Sequence, residues 1–318
     1  MKLPEFTDIE QAHERILPFV HRTPVLSSST MNRILDCELH FKCENLQKVG
    51  AFKFRGAINA VFSLTDEQAA NGVCTHSSGN HAAALALAAS MRGIPAYIVM
   101  PRTAPTIKRQ AVEGYGGKIT FCEPTLEARE TTLANVAVET GAREIHPYTN
   151  FNVICGQGTA AKELIEDNGP FDIIMCPVGG GGLLSGTSIA TRAMSPKTMI
   201  IGAEPEGADD AYRSFHEKKL IPSVNPKTIA DGLLTSVGEI NFRIIQRKTD
   251  EIVTVSERGI VRAMRMIWER MKIIVEPSGA VPLAAILENK FDYRGKKIGI
   301  ILSGGNVDLE KLPFHEFV

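Results

Sequence analysis

Phe171-Asp-Ile-Ile-Met-Cys-Pro-Val178 leads directly into Gly179-Gly-Gly-Gly-Leu-Leu-Ser-Gly186. The first half is an apolar run with little alternation, the pattern of a strand covered on both faces. The second half opens a helical pattern, Leu183–Met194. Four consecutive glycines between them let backbone N–H groups converge, and the helix start adds about half a positive charge at the same point. Each glycine held in ordered backbone costs roughly 0.5–1 kcal/mol relative to alanine. Phosphate binding accounts for that cost better than a bare turn does. No Gly-Lys-Ser/Thr follows, so this is not a P-loop, and the glycines lack the spacing of a dinucleotide fingerprint.

The same alternation continues on both sides. Ala96–Met100, Lys118–Cys122, Met199–Ala203 and Lys297–Leu302 read as further strands. Thr106–Tyr115, Leu126–Thr140 and Arg258–Lys272 read as helices. This order predicts an α/β fold with open, twisted parallel sheets and crossover helices. A length of 318 residues suits about two domains. Turn-rich segments at Asn71–Gly72 and His146–Asn150 bracket an αβαβ block. The expected division is a small domain at 71–148 and a large one at 1–70 and 149–318.

Thirty-five basic side chains against thirty-six acidic ones leave a net charge of -1. No general basic field is present to hold nucleic acid or an anionic membrane, so the expected partner is a small molecule. Two long windows lack charge, Gln68–Met91 and Ile173–Thr191. Histidines, serines and Asn80 interrupt the first and glycines the second, which does not suit a lipid-facing helix. Six scattered cysteines and an N-terminus without an apolar signal core fit a reduced, cytoplasmic setting.

Three more segments carry candidate chemistry. In Gly50-Ala-Phe-Lys-Phe-Arg-Gly56, Lys53 lies between two phenylalanines at the start of a helical pattern, Gly56–Leu64. Desolvation and like charge from Arg55 would lower its pKa, and a neutral lysine attacks carbonyls. A surface lysine packing its stem on aromatics fits the residues equally well. Thr75-His-Ser-Ser-Gly-Asn-His81 offers hydroxyls, an amide and imidazoles at a helix start, suited to a carboxylate. Ser303-Gly-Gly-Asn306 closes the last strand and could present a hydroxyl to a ring nitrogen. The acidic run Glu204–Asp210 could hold Mg²⁺ or Ca²⁺, but its spacing is better explained as the acid-rich first turn of the following helix.

Together GAFKFRGA, SSGNHAAALA, PVGGGGLLSG, EPSGA (Glu276–Ala280) and SGGNVD resemble the serine racemase and serine/threonine dehydratase family, pyridoxal-phosphate enzymes of fold type II. The likeness runs in order over nearly the whole chain. It implies two α/β domains with the active site between them. It implies that Lys53 carries the cofactor as a Schiff base, with Phe52 packing beside the ring. Asn80 would bond the phenolic oxygen, Gly179, Gly180, Gly181, Gly182 and Leu183 would cradle the phosphate, and Ser303 would bond the pyridine nitrogen. Glu276 belongs to the same expected cofactor set. Ser77, Ser78, Asn80 and His81 would hold the substrate, with Ser78 as the acid/base on the opposite face from Lys53. Arg129 matches an arginine that reaches substrate-side carboxylates. A divalent cation (Mg²⁺, Mn²⁺ or Ca²⁺) would sit on Glu204, the Ala208 carbonyl and Asp210, against the reading from spacing alone.

The implied activity is α,β-elimination from a small β-hydroxy amino acid, 3-hydroxyaspartate, L-serine or L-threonine, giving a ketoacid and ammonia, with serine racemisation at the same site. A primary serine or aspartate racemase is the alternative, and a nonenzymatic amino-acid-binding protein is a second one from another class. The chain ends soon after SGGNVD, which points to the short branch without a C-terminal regulatory domain. A homodimer is expected. The animal serine racemases use a glutamine after SGNH to bind ATP; here Ala82 and Ala83 follow, which speaks against nucleotide activation. Lys48, Tyr115, Lys272 and Asn306 match other parts of that site.

Overall fold

The computed structural model describes residues 2–104 and 106–315. These form ten strands: β1 (Val25–Leu26), β2 (Glu38–Cys43), β3 (Val73–His76), β4 (Ala96–Pro101), β5 (Lys118–Cys122), β6 (Arg143–Glu144), β7 (Ile173–Pro177), β8 (Met199–Pro205), β9 (Glu251–Val255) and β10 (Lys297–Leu302). The helices in the first half are α1 (Phe6–Ile16), α2 (Ser29–Leu35), α3 (Lys53–Phe62), α4 (Asp66–Ala69), α5 (Asn80–Arg92), α6 (Thr106–Gly114) and α7 (Leu126–Thr140). Those in the second half are α8 (Phe151–Asn168), α9 (Gly182–Met194), α10 (Asp210–Glu217), α11 (Glu239–Lys248), α12 (Glu257–Met271) and α13 (Pro277–Leu287).

The larger sheet has the order β1-β2-β10-β7-β8-β9 and the smaller one β5-β4-β3-β6. Every residue of β7 is buried, because helices cover both faces. Side chains of α2, α12 and α13 pack on one face and those of α1, α8, α9 and α11 on the other. That double cover is why these strands read as continuous apolar runs. One expectation needs correcting: the larger sheet is mixed, since Val25 and Leu26 pair antiparallel with Lys42 and Phe41. A two-residue edge strand is too short to leave a periodic signal.

Helix α7 covers one face of the smaller sheet through Leu133 and Val136. The other face is covered by α5 and by Phe54, Ala57, Ile58 and Val61 of α3. Helix α3 also abuts α8 closely: a Cβ on Gly156 would fall 2.5 Å from the Arg55 carbonyl oxygen. It therefore contacts the cores of both sheets. It begins at Lys53, three residues before the sequence pattern indicated.

Candidate active site

Four strand ends supply the candidate groups. The glycines follow β7, Ser303 follows β10, Glu204 lies near the end of β8, and Ser77 follows β3. Open α/β sheets place ligands at such carboxyl ends.

Lys53 occupies the first position of α3 and is half-buried. Its Nζ donates to the Pro147 carbonyl oxygen at 3.0 Å and lies 5.2 Å from the centre of the Phe52 ring. Desolvation lowers the ammonium pKa to about 8, while the Glu276 carboxylate pulls the other way. Arg55 is not a cause, contrary to the expectation from sequence. It turns inward and is saturated by Glu44 and Glu163. Helical geometry separates Lys53 and Arg55 by about 200°, so neighbours two apart do not share a face.

The glycine loop is shaped by Tyr148 and Asn241, neither of which the sequence singled out. A Cβ on Gly180 would run into the Tyr148 ring, and one on Gly182 would fall 3.1 Å from the Tyr148 Cβ. Gly181 has φ +86, open to glycine without strain. Asn241 Nδ2 donates to the carbonyl oxygens of Gly180 at 2.6 Å and Tyr148 at 3.0 Å. Helix α9 then starts at Gly182 with its N–H groups at the loop. This cradle, which side chains would fill, fits a phosphate group.

Asn80 begins α5. Its Nδ2 donates to both Glu276 carboxylate oxygens, at 3.0 and 3.1 Å, and its Oδ1 accepts from Asn306 Nδ2 at 2.9 Å. Burial, with some help from Asp231, raises the Glu276 pKa to about 7. Ser77 and Ser78 are half-buried in the loop before α5, and Ser77 Oγ accepts from the Gly79 N–H at 3.4 Å. Ser303 is 3 % exposed, and its carbonyl oxygen accepts from the Phe52 N–H at 2.9 Å. His81 differs from expectation. It is buried, its Nε2 bonds the Ile145 carbonyl oxygen at 3.1 Å, and its pKa falls to about 3 through desolvation and the nearby Lys53 charge. A neutral ring whose N–H is already engaged has no donor left for a carboxylate. His81 thus stands as part of the wall.

Arg129 lies in the first turn of α7, where Thr125 caps the helix by accepting the Ala128 N–H. Its Nε is buried and has no hydrogen-bond partner. The nearby His76 imidazole is held below its ordinary pKa by burial, and the Arg129 charge adds to that, though Glu130 opposes it.

Glu204 and Asp210 are fully buried and Ala208 is nearly so. Glu204 accepts the N–H groups of Ala211 at 3.2 Å and Tyr212 at 2.8 Å, so the acid-rich helix start is real. Asp210 Oδ2 accepts the Val237 N–H at 2.8 Å, while its Oδ1 has no partner. Burial raises both carboxyl pKa values, that of Asp210 to about 6; for Glu204 the Asp210 charge adds to the rise. An orphaned carboxylate oxygen beside a second carboxylate fits a hard cation.

Asn80, Asn306, Tyr115 and Ala83 also line a neighbouring cavity of about 530 Å³, which Lys108 and Asp231 border as an ion pair. Lys48 and Lys272 are not among its lining residues.

A family model described as pyridoxal-phosphate dependent enzyme matches residues 16–304. The chain belongs to this family. The β-hydroxyaspartate dehydratase of Paracoccus denitrificans is 51% identical over 315 residues, 99% of this chain and 100% of that one. The serine racemase of Dictyostelium discoideum is 51% identical over 310 residues, 96% of this chain and 95% of that one. The solved structure of maize serine racemase matches with a TM-score of 0.95 at 47% identity, covering 97% of this chain and 95% of that one. The fold is that of the type II pyridoxal-phosphate enzymes, and pyridoxal phosphate is the cofactor of the family. Among the described residues no helix is long and apolar enough to cross a membrane.

Proposed function

We propose that this pyridoxal-phosphate enzyme is an ammonia-lyase that eliminates water from 3-hydroxyaspartate and takes it back as the resulting enamine, through its imine, hydrolyses, so that the net products are a ketoacid and ammonia. L-serine and L-threonine are poorer substrates in this reading, and serine racemisation is a side reaction. When bound, pyridoxal phosphate supplies the electron sink that makes an amino acid's Cα proton acidic. Lys53 would hold the cofactor and, once free, would take that proton at Nζ. The glycines Gly179 to Gly182 and the Leu183 N–H at the start of α9 would hold the phosphate. Phe52 would flank the ring, Asn80 would bond its phenolic oxygen, Glu276 would back Asn80 through their hydrogen bonds, and Ser303 would meet the pyridine nitrogen. A hydroxyl there, unlike a carboxylate, would not force the ring nitrogen to protonate, which would favour prompt loss of the β-hydroxyl. Ser77 and Ser78 would face the substrate carboxylate, and a proton returned from Ser78 Oγ would give the racemisation reaction.

Arg129 carries the substrate choice. Its half-buried guanidinium leaves Nε unsatisfied, and a second substrate carboxylate would satisfy it. Serine and threonine have no such group. A hydrogen bond to a charged partner contributes roughly 1.5–3 kcal/mol. Arg129→Ala is therefore expected to lower kcat/KM for 3-hydroxyaspartate roughly 10- to 150-fold, with the serine value changed less than about threefold. Equal losses on both substrates would remove the dicarboxylate reading.

The reading includes a divalent cation on Glu204, the Ala208 carbonyl and Asp210, supported by the orphaned Asp210 oxygen and by the burial of two carboxyls side by side. The cation replaces repulsion between these groups with attraction and ties the end of β8 to α10. Treatment with EDTA should lower both activity and the thermal midpoint, and Mg²⁺, Mn²⁺ or Ca²⁺ should restore them. A midpoint indifferent to chelation sinks the cation site. The same reading makes the enzyme a cytoplasmic homodimer, and sedimentation of the purified protein tests the dimer.

A further inference from the structure

The segment 145–149 joins Lys53 to the glycine loop. Ile145 gives its carbonyl oxygen to His81, Pro147 to Lys53 and Tyr148 to Asn241. The Tyr148 ring lies against Gly180. His146 closes this turn on itself: its Nδ1 accepts the backbone N–H groups of Thr149 at 3.1 Å and Tyr148 at 3.4 Å. Two donors aimed at Nδ1 require its lone pair, which places the ring proton on Nε2. Burial, helped by the charges of His76 and Lys53, keeps the imidazole pKa down at about 4, so the cap persists at neutral pH.

We propose that His146 is a positioning residue whose neutral Nδ1 fixes the 146–149 turn, and through it the Pro147 carbonyl against the Lys53 amine and the Tyr148 ring against the glycine loop. The His146 ring packs edge-on to Tyr148, with centroids 4.5 Å apart, so the cap and the ring it places move as one unit. This inference rests on the reading of Lys53 and the glycine loop as the cofactor site. It adds a residue outside the motifs that reading uses.

Asparagine and glutamine separate the two ends of the imidazole. The Asn Oδ1 falls near the place of Nδ1 and can accept the two N–H groups, whereas a Gln amide falls near the place of Nε2. The full-length protein carrying His146→Asn, His146→Gln or His146→Ala is titrated with pyridoxal phosphate, following the cofactor's visible absorbance. His146→Ala and His146→Gln are expected to raise the cofactor Kd about tenfold or more and to lower kcat with KM little changed. His146→Asn should stay within about threefold of the wild type in Kd and kcat, as expected when one acceptor is replaced by another. Asparagine as damaging as alanine overturns the proposal, as does alanine binding the cofactor like the wild type. Rescue by glutamine instead of asparagine overturns it too, by moving the role to Nε2. A wild type that binds the cofactor but ignores 3-hydroxyaspartate defeats only the substrate reading, since the Kd series still judges His146.

Discussion

Lys53→Ala is expected to lower kcat for 3-hydroxyaspartate by at least roughly 10³- to 10⁴-fold, the upper range for loss of a proton-transferring group. The effect falls at that end because, in the proposed reaction, one amine serves two purposes, holding the cofactor and moving the Cα proton. The measurement is turnover at saturating pyridoxal phosphate, with circular dichroism to confirm the fold. A variant retaining a tenth of the wild-type rate would take Lys53 out of the reaction. The environment of the amine gives the prediction a pH signature. With the pKa at about 8, set by desolvation against the opposing Glu276 charge, the neutral fraction rises with pH. It goes from about one tenth at pH 7 to about nine tenths at pH 9. Capture of pyridoxal phosphate by cofactor-free protein should therefore speed up about tenfold across that interval and flatten above it. An ordinary lysine would gain nearly a hundredfold and keep rising.

Arg55→Met is expected to produce the largest loss of stability. Arg55, Lys42, Glu44 and Glu163 are all fully buried. The guanidinium meets Glu44 at 2.7 and 2.8 Å and Glu163 at 2.8 Å on both carboxylate oxygens. Lys42 reaches Glu163 at 2.7 Å and the Thr23 carbonyl oxygen at 2.7 Å. Burial works against the Glu163 charge, yet Arg55 and Lys42 hold its pKa down to about 2. The four charges balance in pairs. Methionine keeps much of the volume but leaves two carboxylates facing one ammonium in a dry interior. Breaking such a buried set costs about 3–5 kcal/mol. For a chain of this size that lowers the thermal midpoint by roughly 4–8 °C. Arg265→Met, at the exposed Arg265–Glu269 pair on α12, should cost under about 1 kcal/mol. If calorimetry finds the two variants alike, the buried set is not what ties α3 to β2 and α8. Because α3 carries Lys53, Arg55→Met should also weaken cofactor binding.

The chemistry-bearing motifs were legible because each is local. A run of four glycines after an apolar strand needs only its neighbours to be read. The same holds for Lys53 between Phe52 and Phe54, and for the strands of the larger sheet, whose unbroken apolar character already states that both faces are covered. Helix starts were less legible: α3 begins at Lys53, three residues earlier than its periodicity suggested, because tertiary packing on α8 extends the helix.

Partners distant in the chain were not legible. Nothing in GAFKFRGA says that Arg55 turns away from Lys53 toward Glu44 and Glu163, or that Tyr148 and Asn241 brace the glycine loop. The family resemblance implied that His81 holds substrate, yet its single N–H is taken by Ile145, 64 residues away. Residue type and local period belong to the sequence, so it determined the fold class and singled out the glycine loop and Lys53 as candidates. Which donor meets which acceptor depends on where the closed chain brings remote segments. Only the tertiary structure therefore decided the partners of Arg55 and Lys53 and the tautomers of His81 and His146.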